Sequence, residues 1–136
     1  MASGIGVNQE CIDKFNEIKM QKSFKYVLMH IENEKEIKVT KCGAKDATFQ
    51  NFFDDLMEAR KNGHGRYALY DHIMSDSGNN KLLFILWNPD DIPVKNRMLY
   101  ASSKEALKKK FPGVQRELQA NEVEEITEQE IESKLK

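Results

Sequence analysis

The chain has 136 residues, of which 40% are hydrophobic, and its formal net charge at pH 7 is −1. This length fits one domain with one hydrophobic core. No apolar run approaches the roughly 20 residues needed to cross a bilayer, and the N-terminus lacks a basic segment followed by a hydrophobic block. We therefore expect a soluble protein that is not exported. The charges are uneven, since Lys and Arg concentrate near residues 95–110 and Glu dominates residues 117–132.

The N-terminal half predicts two helices that flank a β-hairpin. The segment 1–7 is short and contains glycine, so we expect it to be flexible. Apolar residues at helical spacing and polar caps then define the elements. In chain order these are a helix from Asn8 to about Lys22, strands at 26–31 and 36–41, and a helix from Asp46 or Thr48 through Arg60.

The C-terminal half predicts three more strands and two more helices. The strands are expected at 66–70, 81–87 and 114–118, and the helices at 94–111 and from Thr127 onward. Thr127 with Glu130 forms a T-x-x-E capping box. Pro93 can occupy the first turn of the 94–111 helix, where Asp90 or Asp91 can cap the free amides. The long helix can serve as a crossover between two strands, so the pattern predicts a mixed α/β fold with helices on both faces of one sheet.

The 94–111 helix carries two different faces. At about 100° per residue, one sector is apolar and suits a core; it comprises Leu99, Tyr100, Ala106, Leu107 and Phe111. The outer side carries a second apolar strip, Val94, Met98 and Ala101, with Glu105 beside it. Two polar edges flank this strip: Arg97, Lys104 and Lys108 on one side, and Lys95, Ser102 and Lys109 on the other. This outer side is either a solvated basic face or a surface that binds an acidic, grooved protein.

These residues also carry a family resemblance. The run WNPDDIPVKNRMLYASSKEALKKK resembles the strand, turn and long actin-binding helix of the ADF/cofilin family. The segments MASGIGVNQECIDKFNEIK, RYALYDH and GVQRELQAN resemble other parts of the same family, so the similarity covers essentially the whole chain. It implies a single ADF-homology domain over residues 1–136, with a five-stranded mixed sheet sandwiched between helices.

The resemblance implies an actin-binding protein that binds monomers and filament sides, prefers ADP-actin, and promotes severing and disassembly. Matched by motif, the monomer-binding residues are Ser3, Gly4, Ile5, Gly6, Lys95, Arg97, Met98, Ser102, Glu105, Lys108 and Lys109. The filament-binding residues are Lys81, Glu132, Lys134 and Lys136. Ser3 also matches the regulatory phosphorylation position of the family. Asn79 and Ser133 stand near positions that are often basic, so we expect a reduced filament site.

Other functions have weaker support. The three histidines and two cysteines lack metal-ligand spacing, so we expect no metal, no cofactor and no catalysis, and Cys11 and Cys42 are expected to be reduced thiols. The basic run at 108–110 suits phosphoinositide head groups better than nucleic acid, because interleaved aromatic residues are missing. We expect a monomer in the cytoplasmic actin cytoskeleton. Two alternatives remain open: an ADF-homology module that binds an actin-related or other protein, and an unrelated small α/β enzyme.

Overall fold

The computed structural model describes residues 4–114 and 116–136, and these form six β-strands and four α-helices. In chain order the elements are β1 (Gly6–Val7), α1 (Gln9–Met20), β2 (Phe24–Glu32), β3 (Glu36–Ala44), α2 (Phe49–Lys61), β4 (Arg66–Ile73), β5 (Asn80–Trp87), α3 (Val94–Lys108), β6 (Glu117–Ala120) and α4 (Glu128–Leu135). The predicted order of elements is confirmed. The largest shifts in bounds are three residues: β3 ends at Ala44, β4 ends at Ile73, α3 ends at Lys108 and β6 begins at Glu117.

The strands form one mixed sheet in the order β1-β3-β2-β4-β5-β6. The four central strands, β3, β2, β4 and β5, pair with one another in antiparallel fashion. The edge strands are parallel to the strands they pair with, β1 to β3 and β6 to β5. Helix α3 makes the crossover from β5 to β6, as predicted. The sheet has six strands instead of the expected five, because the two-residue strand β1 adds to the edge. A strand this short gives no sequence periodicity.

Helices cover both faces of the sheet, and each face has its own hydrophobic core. Alternate strand residues point to opposite faces, so Tyr67 and Leu69 of β4 join the core under α1 and α3, whereas Ala68 and Tyr70 join the core under α2 and α4. This arrangement confirms the predicted two-sided α/β fold. It also means that α3 and α4, which carry most of the candidate site residues, lie on opposite faces.

Polar side chains cap three of the four helices. The Asn8 side chain accepts a hydrogen bond from the Glu10 amide, and Thr48 forms a reciprocal capping box with Asn51. The Thr127 hydroxyl accepts the Glu130 amide at 3.0 Å, so α4 begins where predicted. The other half of the predicted capping box, a bond from the Thr127 amide to the Glu130 carboxylate, is not formed among the described residues. The bonds that do form satisfy amides that have no partner within the helix.

The N-terminus corrects the prediction of a flexible segment over residues 1–7. The side chain of Ile5 is 2% exposed and belongs to the core under α1 and α3. The Gly6 amide donates to the Lys35 carbonyl at 2.9 Å, and the Asn8 amide donates to the Ile37 carbonyl at 2.9 Å. Core packing and strand pairing therefore anchor the chain from residue 5 onward. Residues 1–3 lie outside the described residues.

Candidate functional site

The turn after β5 fixes where α3 begins. Asn88 is buried; its side-chain amide donates to the Arg97 carbonyl at 3.1 Å, and its backbone amide donates to the Ala120 carbonyl at 2.8 Å. One residue therefore links the turn to both α3 and β6. Gly65 lies against the end of β5, where an added Cβ would come within 2.5 Å of the Trp87 carbonyl oxygen. Only glycine lets the two chain segments approach this closely.

The predicted aspartate cap of α3 is wrong. Pro93 is the N-cap residue, and no side chain caps this helix. Asp91 instead accepts two hydrogen bonds from Arg60, at 3.0 Å from Nε and 2.7 Å from Nη2, and Asp90 accepts from Arg97 at 3.1 Å. Both carboxylates therefore serve as ion-pair partners. The pair with Arg60 lowers the pKa of the Asp91 carboxyl.

The inner side of α3 is anchored by a buried tyrosine pair as well as by apolar packing. The Tyr100 hydroxyl accepts the Ile31 amide at 3.1 Å, and the Tyr67 hydroxyl donates to the Tyr100 carbonyl at 2.5 Å. Burial raises the pKa of both phenols, so they stay protonated. Ser103 is also buried, although the predicted apolar sector had left it out. These contacts hold α3 rigidly on β2 and β4.

The outer side of α3 leaves an apolar strip in solvent. Met98 is 65% exposed, Val94 is 70% exposed, and Ala101, one turn after Met98, is also exposed. A single exposed apolar side chain is normal on a protein surface, but a contiguous strip of them is informative. The predicted strip is therefore present, and α3 presents it as a ready-made contact surface.

Most cations beside the strip already have carboxylate partners within the molecule. Lys95 Nζ lies 2.9 Å from Glu34 at the tip of the β2–β3 hairpin, and Arg97 pairs with Asp90. Lys108 and Lys104 both bind Glu117 of β6, and Lys104 does so at 2.7 Å. The ion pairs with Glu117 raise the pKa of Lys104. The positive charge predicted along the two edges of the strip is therefore partly neutralised by these ion pairs.

Other predicted monomer-binding residues remain accessible. Lys109 and the neighbouring Lys110 are exposed and have no carboxylate within ion-pair distance in the described part of the chain. Ser102 and Glu105 are exposed on the same side. The structure therefore brings Lys95, Arg97, Met98, Ser102, Glu105, Lys108 and Lys109 together on one helix.

The N-terminal residues divide into contacts and anchors. Gly4 and Gly6 are exposed, and β1, which includes Gly6, contacts α3. The side chain of Ile5 is buried in the core and anchors the strand, which differs from the exposed side-chain contact that the family match implies. Ser3 lies outside the described residues.

A second candidate surface lies on the other side of the sheet, between α4 and the β4–β5 loop. An open groove of about 530 Å³ separates the two, and Glu132 and Lys136 line its α4 side. Lys134 is exposed on α4. Lys81 Nζ donates to the Leu135 carbonyl at 3.2 Å, so this lysine joins β5 to the end of α4. The four predicted filament-binding residues thus lie in one region.

Glu132 differs from the prediction of an exposed contact residue. Its carboxylate accepts the Ser75 amide at 2.9 Å and the Ser75 hydroxyl, and it lies 3.0 Å from His72 Nε2. These bonds lower the pKa of the Glu132 carboxyl to about 2. His72 and Ser75 are partners that the sequence reasoning missed. No local pattern could have found them, because 60 and 57 residues separate them from Glu132.

Beside this surface the fold collects cations that are distant in sequence. A groove of about 470 Å³ is lined by Lys19, Lys22, Lys81, Arg116 and Lys136, and no carboxylate side chain lines it among the described residues. Lys19 Nζ donates to the Pro112 carbonyl at 2.7 Å. The sequence reasoning had grouped only Lys81 and Lys136. The positive potential of this end of the molecule is therefore larger than the predicted filament residues alone would give.

The cysteines and histidines take structural places. Cys11 and Cys42 are free thiols, and burial raises the pKa of Cys11 to about 12, so this thiol is unreactive at neutral pH. His30 lies in β2, and His64 lies in the loop before β4. Within residues 4–114 and 116–136, no group of three or more His, Cys, Asp or Glu side chains could hold a metal ion. The same residues include no helix with the length and apolar character of a membrane span.

Comparison with known proteins agrees with this geometry. The family model described as cofilin/tropomyosin-type actin-binding protein matches residues 4–136. The chain belongs to the ADF/cofilin family. It is 37% identical to actophorin of Acanthamoeba castellanii over 137 residues, which cover 98% of this chain and 96% of actophorin. It is 39% identical to the cofilin of Cryptococcus neoformans (strain JEC21) over 131 residues, or 93% and 92% of the two chains.

A solved structure shows the same fold. The crystal structure of Streptomyces griseoflavus cofilin superimposes with a TM-score of 0.87 at 32% identity, covering 98% of this chain and all of the other. The ADF/cofilin family is an actin-binding family whose members promote filament disassembly, and it is not an enzyme family. The resemblance inferred from the sequence is therefore confirmed.

Proposed function

We propose that this ADF/cofilin protein binds actin monomers through α3 and its neighbouring N-terminal glycines, and that it acts by binding and not by catalysis. The observation that carries this assignment is the exposed strip of Val94, Met98 and Ala101 on a helix that buried tyrosines hold rigid. A partner desolvates such a strip at the centre of an interface, and the charged rim supplies orientation and specificity.

Filament sides are the second proposed ligand, bound through α4 and the end of β5. Lys81, Lys134 and Lys136 supply the cations, with Lys19, Lys22 and Arg116 close to them. Asn79 and Ser133 contribute no charge to this surface. We therefore propose that the protein recycles or sequesters monomers more effectively than it severs filaments. Robust severing of single filaments at low occupancy would contradict this balance.

Two binding experiments test the proposal together. In the first, the protein is titrated into fluorescently labelled ADP-actin monomers and ATP-actin monomers. In the second, it is co-sedimented with ADP-actin filaments over a concentration series, and both proteins are quantified in pellet and supernatant. We expect tighter binding to ADP-actin, some protein in the pellet, and a shift of actin into the supernatant. Absence of binding to either form of actin would favour the alternative of an ADF-homology module for another partner.

Ser3 is proposed as a regulatory phosphorylation site, placed close in sequence to the anchored residue Ile5. A phosphate adds about −1.5 to −2 charges and would repel the acidic partner that α3 attracts. We expect Ser3→Asp to lower affinity for ADP-actin monomers by roughly three- to tenfold, in keeping with a loss of one charge-dependent contact. Ser3→Ala is the matched control and should bind like the wild type. Equal monomer affinities for Ser3→Asp and Ser3→Ala would reject this role.

Phosphoinositide head groups are a further proposed ligand, bound at the C-terminal end of α3. The supporting observation is that Lys109 and Lys110 are exposed without carboxylate partners among the described residues. Binding there would compete with actin, because Lys109 belongs to both surfaces. Flotation with vesicles that contain a phosphoinositide, with and without added actin monomers, tests this proposal. We further propose that the protein is monomeric and acts in the cytoplasmic actin cytoskeleton.

A further inference from the structure

Glu132 carries more polar contacts than any other predicted site residue. Its Oε1 accepts the Ser75 amide at 2.9 Å and lies 3.0 Å from His72 Nε2, and its Oε2 accepts the Ser75 hydroxyl. Lys136 Nζ approaches Oε2 at 3.9 Å from the next turn of α4. Only 16% of the Glu132 side chain is exposed. Little of this carboxylate is therefore left to face a partner.

The residues that Glu132 binds belong to a different element. His72 lies near the end of β4 and is 6% exposed, and Ser75 is the second residue of the β4–β5 loop, which begins at Met74. Within the loop, the Met74 amide donates to the Asn79 carbonyl at 2.8 Å, and the Gly78 amide donates to the Met74 carbonyl at 2.9 Å. These bonds shape the loop itself. Met74 is buried in the same core as Ile131 and Leu135 of α4, and Glu132 adds the polar tie between α4 and the exposed part of the loop at Ser75.

We propose that Glu132 is a positioning residue, which fixes the β4–β5 loop against α4 so that the cations of both elements meet a filament as one rigid surface. This inference rests on the proposed filament binding. It assigns Glu132 a different role from the direct contact that its position in the family would imply. Lys81 supports the same junction from the other side, because its bond to the Leu135 carbonyl joins the start of β5 to the end of α4.

The charge on Glu132 makes this link strong. A carboxylate that accepts several hydrogen bonds is held in its ionised form, and hydrogen bonds to an ionised acceptor are stronger than those between neutral groups. The neighbouring charged residues are Glu128 and Lys136, which line the groove, and Lys81, which lies opposite His72 in the register of β4 and β5. Replacing Glu132 by Gln keeps its size and one acceptor oxygen but removes the charge, so it tests the link without opening a cavity.

The test combines a readout of the loop with a readout of actin binding. Amide hydrogen exchange of Ser75 to Asn79 is measured by NMR in Glu132→Gln and in the control Glu130→Gln, whose side chain makes no hydrogen bond within the described residues. We expect exchange of the Ser75 amide to accelerate about tenfold in Glu132→Gln, because a charged acceptor is lost. We expect filament affinity to fall about three- to tenfold, while monomer affinity stays within about twofold. Glu130→Gln should match the wild type in all three.

A double substitution separates positioning from direct contact. If Glu132 acts through Ser75, Ser75→Ala combined with Glu132→Gln should weaken filament binding no more than Glu132→Gln alone, since both remove one link. The proposal is overturned if the losses of filament affinity in Ser75→Ala and Glu132→Gln add up in the double variant. It is also overturned if Glu132→Gln loses filament affinity while exchange of the Ser75 amide is unchanged, because both results indicate direct contact of Glu132 with the filament. Faster exchange with unchanged filament affinity would also overturn it. If the wild type fails to pellet with filaments, the proposed filament site is itself wrong and the inference falls with it, whatever the exchange data show.

Discussion

The two candidate surfaces of this protein are built in different ways. The α3 surface lies on a hydrophobic core and is anchored by the buried hydroxyl of Tyr100 and by Asn88 in the preceding turn. The α4 surface also lies on a core, because Ile131 and Leu135 are buried together with Met74, the first residue of the β4–β5 loop. Beyond Met74, the loop is held against α4 by the polar contacts of Glu132, and Lys81 joins the start of β5 to the end of α4. The shape of the α3 surface is therefore as stable as the domain, whereas the exposed part of the loop at the α4 surface can loosen while the fold persists. Monomer binding and filament binding should accordingly respond to different substitutions.

The charges of the two surfaces also differ. On α3, Lys95, Arg97 and Lys108 are paired with carboxylates of the same chain. On the filament side, Lys134 is exposed and Lys22 and Arg116 line a groove without carboxylate side chains. Apolar contact should therefore dominate binding at α3. Salt-dependent attraction should dominate at the filament surface.

The largest expected effect is at the apolar strip. Met98→Ala should lower affinity for ADP-actin monomers about tenfold or more, as at the centre of other interfaces. Met98 is 65% exposed, so the free energy of unfolding should change by less than about 0.5 kcal/mol. Met20→Ala is the matched control, because Met20 is 73% exposed and lies at the end of α1. Similar losses of monomer affinity in both variants would break the assignment of the α3 strip.

The core anchor of α3 gives the next effect. Tyr100→Phe removes the acceptor of the buried Ile31 amide and should lower the free energy of unfolding by about 1–3 kcal/mol, measured by urea denaturation. Tyr70→Phe is the control, because the Tyr70 hydroxyl makes no hydrogen bond within the described residues. If Tyr100→Phe is no less stable than Tyr70→Phe, the hydroxyl does not anchor the helix.

Acid should weaken the contacts of Glu132 at the α4 surface. The contacts of Glu132 lower its pKa from the ordinary 4.5 to about 2, so the contribution of this carboxylate to stability is complete above about pH 4.5 and is lost as the pH falls toward 2. Urea unfolding at pH 5 and pH 3 should show a smaller loss of stability in Glu132→Gln than in the wild type. Glu130→Gln should follow the wild type. An identical pH dependence in all three proteins would contradict the link between Glu132 and the β4–β5 loop.

The smallest expected effect concerns the ion pair at the hairpin tip. Glu34→Gln frees Lys95 and should raise monomer affinity by at most about threefold, because exposed ion pairs are weak and salt screens them. The gain should shrink between 20 mM and 200 mM salt. Lys95→Gln should reverse the sign, and a gain in affinity from both substitutions would show that the charge of Lys95 does not contribute to binding.

Much of this molecule could be predicted from its sequence because periodicity and caps are local signals. The apolar repeats placed four helices and five strands, and the outer strip of α3 followed from angular spacing alone. The strand β1 could not be predicted, because two residues have no period. Ser103 lies by helical spacing in the middle of the inner sector of α3, and its burial was missed because the prediction counted only apolar side chains.

The partners of charged side chains were the least predictable feature. Asp90 and Asp91 looked like helix caps, yet each meets an arginine that the fold brings close. Lys108 appeared to be a free contact cation and instead binds Glu117 of β6. Asp91 and Arg60 are 31 residues apart, whereas Asp90 and Arg97, and Lys108 and Glu117, are only 7 and 9 residues apart but are separated by a turn or a loop whose path sets the contact. Resemblance to a family places residues on a surface, but it does not show which of them are already engaged within the chain.

The most direct test of the central claim is to measure monomer and filament affinities of Met98→Ala and Lys134→Ala side by side, by fluorescence titration with ADP-actin monomers and by co-sedimentation with ADP-actin filaments. We predict that Met98→Ala weakens monomer binding about tenfold or more, whereas Lys134→Ala weakens filament binding and leaves monomer affinity within about twofold. Equal losses of monomer affinity in the two variants, or unchanged monomer binding by Met98→Ala, would contradict the assignment of separate surfaces to α3 and α4.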